Sequence, residues 1–180
     1  MSGARPLVVG VAELHRQPGT QRDVECAAVL PGLRVAGSAV PDDATVAAEV
    51  VLESLADGTI TATGTVRAPW AGECRRCLGP VGGELATTVR EVFEAHPTEG
   101  ETYRLEGDQV DLEPMVRDAV LLALPLAPLC RPDCPGPEPD AFPVGTGLAD
   151  GAGDADADAP GSDERDPRWA ALDALREPED

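Results

Sequence analysis

The chain contains no lysine. All 14 basic residues are arginine, set against 33 acidic ones, and the formal net charge is −19 over 180 residues. That balance argues against unaided gripping of nucleic acid, where Lys and Arg must displace the counterions of the phosphates. It argues equally against an anionic membrane surface, and charge alone makes basic proteins the natural partners. Aromatics are scarce, with two Trp, two Phe and one Tyr, so any core must be built from Val, Leu and Ala. Long apolar runs are missing too. AVLLALPLAPL at 119–129 is the longest, too short and too broken by proline to span a bilayer. MSGARPLVVGVAELH carries no recognisable secretion signal, because Glu13 and His15 interrupt its apolar stretch. A cytoplasmic location is the expectation. Catalytic chemistry is poorly supplied: His15 and His96 are the only histidines and fall in expected loops. There is no Gly-x-Ser-x-Gly and no phosphate-cradling glycine loop, and nothing points to a small-molecule substrate. The sequence gives no enzyme signal.

Cysteine is sparse at five, which makes its placement informative. Cys74 and Cys77 form a C-x-x-C in ECRRCLGP, and Cys130 and Cys134 a C-x-x-x-C in PLCRPDCPG, with 52 residues between the pairs. In a reducing compartment such pairs read as metal ligands or redox groups before structural disulfides. Two pairs suit zinc, which takes four ligands in a tetrahedron. The candidate is therefore a structural zinc site made by Cys74, Cys77, Cys130 and Cys134. Arg75 and Arg76, inside the first pair, would offset the thiolate charge or face a partner; Arg131 lies inside the second. The competing redox reading needs a nucleophilic thiol at a helix N-terminus beside a βαβ unit. Cys74 instead lies between expected antiparallel strands. Cys26, alone in DVECAAVL, reads as a small buried apolar side chain.

Along the chain, residues 1–22 read as irregular. TVAAEVVLES at 45–54 and TITATGTVR at 59–67 alternate around an Asp-Gly turn, which predicts an antiparallel hairpin. GELATTVREVFEAH at 83–96 reads as a further strand, placing the first cysteine pair at the tip of a second hairpin. Residues 97–110 read as a loop. DLEPMVRDAVLLALPL at 111–126 predicts a helix, capped by Asp111, with Pro114 in its first turn and Pro125 ending it. Its expected apolar stripe is Leu112, Met115, Val116, Ala119, Val120, Leu122 and Ala123. Beyond the second pair, residues 138–180 hold 13 acidic residues and 3 arginines, a net −10. The expected organisation is a domain at 1–137, an acidic disordered linker at 138–162 and a short helix at 163–180. The fold class is α+β: a small antiparallel sheet or partial barrel with one main packed helix.

LESLADGTITATGTV, the ECRRCLGPV loop, EVFEA, DLEPMVRDAVLLALPLAPLC, CRPDCPG and a closing DPRWAALDAL together resemble the YceD-like family. These are the large ribosomal RNA subunit accumulation proteins, and the resemblance covers roughly residues 15–136 and 163–175. It implies a non-enzymatic accessory role in bringing large-subunit ribosomal RNA to its normal level. Genes of the family commonly neighbour that of a small large-subunit ribosomal protein. A ribosomal protein or the pre-ribosomal large subunit is thus the implied partner, with rRNA contact indirect. One departure stands out. Many relatives carry a further C-x-x-C after the second pair, where this chain has Glu138 and Ala141. If that later pair supplies the ligands in relatives, Cys130 and Cys134 must substitute here, or no metal binds. The readings from other classes are a C-x-x-C thiol enzyme or redox sensor, and an acidic chaperone for a basic protein.

Overall fold

A computed structural model describes residues 6–137. They form β1 (Val8–Gly10), α1 (Ala12–Arg16), β2 (Gln21–Val29), β3 (Ser38–Ala39), β4 (Thr45–Ser54), β5 (Ile60–Glu73), β6 (Pro80–Glu94), β7 (Tyr103–Glu106), β8 (Gln109–Asp111) and α2 (Glu113–Ala123). The strands join in the order β1-β8-β7-β6-β5-β4-β2, with β3 beside the far end of β5. The sheet curls into a half-barrel around α2, so the fold is α+β. All strand pairs are antiparallel except β6 and β7.

The period-two pattern explains the centre. Val46, Ala48, Val50 and Leu52 of β4 point inward, as do Ile60, Ala62, Val66 and Ala68 of β5 and Leu85, Val89 and Phe93 of β6. Thr61, Thr63 and Thr65 of β5 alternate with these on the other face. Asp57 and Gly58 make the predicted turn: Gly58 takes φ +86°, and Asp57 accepts hydrogen bonds from the backbone N–H and hydroxyl of Thr59. At Gly64 a Cβ would lie 2.0 Å from the carbonyl oxygen of Glu49, so only glycine lets β5 approach β4 this closely. With so few aromatics, Phe93 is the one fully buried ring among the described residues, stacked on Tyr103 at 5.4 Å.

α2 fills the concave side with Met115, Val116 and Val120, packing on β5 and β6. Asp111 accepts the Glu113 N–H at 3.0 Å, and Leu124 turns extended before Pro125. Leu122 departs from the expected stripe. It is 88% exposed, because the stripe is wider than the groove that receives the helix.

Two expectations are corrected. The described part of 1–22 is not irregular: β1 and α1 lie there and β2 begins at Gln21. His15 accordingly sits in a helix, 3.1 Å from the carboxylate of Asp108. Residues 97–110 are not simply a loop either, since β7 and β8 form a hairpin there that pairs with β1 and, in parallel, with β6. Strands of three or four residues show no period of their own. Leu105 and Val110 are buried only because chain-distant strands cover them. The linker expected at 138–162 and the helix at 163–180 lie outside the described residues.

Candidate metal centre

The β5–β6 ribbon runs on past its neighbours, and its tip is the first cysteine turn. Cys74 follows the last residue of β5. Its N–H donates to the Gly79 carbonyl at 2.8 Å, and its own carbonyl accepts from the Leu78 N–H at 2.9 Å. Leu78 closes the turn at φ +59°, the one described non-glycine residue with positive φ.

The chain leaving α2 is steered onto this tip by contacts from β3. The Ser38 hydroxyl donates to the Pro125 carbonyl at 2.8 Å. A Cβ on Gly37 would lie 2.4 Å from the Leu126 oxygen, and one on Gly72 2.3 Å from the Gly37 oxygen. Three stretches of backbone therefore stack with nothing but hydrogen between them. The Arg75 N–H then donates to Pro128 at 2.9 Å, joining the two cysteine segments directly.

All four sulfurs converge. The Sγ atoms of Cys74, Cys77, Cys130 and Cys134 lie within 4.8 Å of one another. Cys74 and Cys134 are 3.8 Å apart, and Cys77 and Cys130 are 3.9 Å apart. Zinc–sulfur bonds of about 2.3 Å put the corners of a tetrahedron about 3.8 Å from each other. Those two edges fit, and they run between the pairs, not within them. Cys74 and Cys134 are buried, Cys77 is half-buried and Cys130 faces solvent.

The electrostatics are asymmetric. Cys74 is drawn down to about 6, chiefly by the backbone N–H of Cys77 and next by that of Cys130. Cys130 is pushed up to about 12, first by its hydrogen bond with Cys134 and then by burial. The fold thus makes proton loss easier at Cys74 and harder at Cys130 than at an ordinary thiol.

The two arginines divide their roles. Arg76, itself exposed, reaches across to the second cysteine turn, its guanidinium donating to the carbonyls of Pro132 at 3.2 Å and Cys134 at 3.0 Å, so it straps the second turn to the first. Arg75 is exposed, and its guanidinium makes no hydrogen bond or ion pair among the described residues. Arg131 pairs with Asp133 at 3.6 Å. Cys26 lies apart from the cluster, half-buried, with its S–H 3.8 Å from the Ala48 carbonyl. Sequence reasoning missed Gly37, Ser38 and Gly72. A lone GSA and a lone glycine carry no signal until the fold shows what crosses them.

A protein of Mycobacterium tuberculosis and one of Mycobacterium bovis, both described as uncharacterized, are each 36% identical over 187 residues, covering 98% of this chain and 84% of the relative. One of Mycobacterium leprae, likewise described, is 35% identical over 143 residues, covering 73% of this chain and 64% of its own length. No solved structure gives a significant match. Residues 62–176, which take in both cysteine turns and α2, match the family described as large ribosomal RNA subunit accumulation protein YceD. The chain belongs to that family.

Proposed function

We propose that this protein is a non-enzymatic accessory factor in large ribosomal subunit biogenesis, acting through protein partners and held in shape by a structural zinc ion. Membership of a family named for large-subunit ribosomal RNA accumulation is the observation that carries the ribosomal part. The charge carries the rest: at −19 the molecule suits a basic ribosomal protein better than bare RNA. Four cysteine ligands would complete zinc's tetrahedron, leaving no open position for water or substrate, which is the pattern of structural sites. Bound there, zinc would fasten the end of α2 to the tip of the β5–β6 ribbon.

Removing the protein from cells tests the ribosomal reading. The ratio of large- to small-subunit rRNA falls and is restored by the intact chain; an unchanged ratio rejects the proposal.

A second reading, thiol redox chemistry, is favoured by the depressed Cys74 pKa and the 3.8 Å gap to Cys134. Its weakness is access, since a reactive thiol must meet its substrate and Cys74 is fully buried. Thiol titration separates the two. A metal site hides its four thiols until a chelator is added, whereas a redox pair titrates without one.

A further inference from the structure

A cleft on the opposite half of the sheet plays no part in the cysteine cluster. Where β6 meets β7 beneath the flank of α2, Glu91, Glu101, Tyr103, Asp118, Leu121 and Leu122 line a cavity of about 440 Å³. Its walls are of two kinds. The apolar wall is Leu121, the Tyr103 ring held by its stack on Phe93, and Leu122. At 88%, Leu122 is the most exposed large apolar side chain among the described residues. A leucine so placed gains nothing in the isolated molecule.

The other wall is anionic, and it is not neutralised from within. No lining residue is basic, and among the described residues neither the Glu91 nor the Glu101 carboxylate makes a hydrogen bond or ion pair. Some carboxylates elsewhere on the surface have partners, Glu49 with Arg67 at 2.8 Å and Glu113 with Arg117 at 3.0 Å, while others such as Glu53 and Glu84 have none among the described residues. Asp118 is fixed at the rim by the Tyr103 hydroxyl, which donates to it at 2.8 Å. The pKa of that phenol is raised by burial first, next by its hydrogen bond to Asp118, and then by the Asp118 and Glu91 charges.

We propose that this cleft receives an arginine or lysine side chain from a basic protein partner. The aliphatic stem lies on Tyr103, Leu121 and Leu122, and the charged head sits among Glu91, Glu101 and Asp118. Long basic side chains combine these two demands, an apolar stem and a cationic tip, and the aromatic ring adds a cation–π contact. A purely apolar occupant would strand the carboxylates away from water, and an acidic one would be repelled. The inference rests on the protein-partner reading above and gives that partner a contact point.

The full-length chain, titrated with the blocked peptide acetyl-Gly-Arg-Gly-Arg-amide at physiological salt and followed by amide NMR shifts, tests it. Saturable shifts are expected at Glu101, Thr102, Tyr103, Leu121 and Leu122, with none from an acidic peptide of the same length. In the double variant Glu91→Gln/Glu101→Gln the affinity at these amides drops at least about threefold, as two exposed ion pairs would give. Leu122→Ala, which leaves every charge in place, weakens it as well. Shifts scattered over the acidic surface, or localised shifts that survive the double variant, overturn the assignment. The two proposals fail separately. A cleft that ignores the peptide leaves the rRNA result standing, and an unchanged rRNA ratio leaves the peptide site standing.

Discussion

Leu78 holds a backbone conformation that costs an ordinary side chain about 1–2 kcal/mol, and at 69% exposure it packs too little to offset that cost. Leu78→Gly is expected to raise the urea midpoint by the equivalent of about 1 kcal/mol, measured with metal content held fixed. Arg76 and Arg75 give a sharper contrast, because two adjacent and identical side chains are used differently. Arg76→Ala removes the strap over the second turn and should weaken metal retention about tenfold against a chromophoric chelator, the cost of losing an outer-shell partner. Arg75→Ala should leave retention unchanged. The sequence singled out the four sulfurs that the fold brings together, because their residue type and spacing state a chemistry. It left the duties of the two arginines open, since only the folded chain places the carbonyls of Pro132 and Cys134 within reach of one of them.

At the level of elements, the long alternating strands were legible and the short ones were not. β4 and β5 each carry enough turns of the period-two pattern to declare a face, and the Asp57–Gly58 turn fixes their register. β1, β7 and β8 pair across large sequence distances, as Val8 with Asp111 does, so no local window contains the partner that makes them strands. The helix was read from its caps and stripe, yet Leu122 shows that periodicity alone overstates how much of a helix is covered. Phe93 couples these parts: it lies on β6, beside Tyr103 of β7 and in the core that α2 fills. Phe93→Ala should cost about 3–5 kcal/mol in chemical unfolding. A value near 1 kcal/mol would mean that the sheet and helix close over the gap.

For the whole molecule, charge is the dominant property. Residues 138–180 carry a net −10, about half of the total. If they help to hold a basic partner, ending the chain at residue 137 should weaken that binding and flatten its dependence on salt. Titrations of both forms across ionic strength would show it, and parallel salt curves would exclude the role. The way the sheet is joined has a consequence of its own. Two parallel residue pairs, Phe93 with Tyr103 and Glu94 with Arg104, are the strand pairing between the five-stranded part and the three strands β1, β7 and β8. So slender a seam lets the smaller part breathe as a unit, and its amides should exchange with deuterium sooner than those of β4 and β5. Any guest lodged in the neighbouring cleft would bridge that joint, and its arrival would be recorded as slower exchange along strands it never touches.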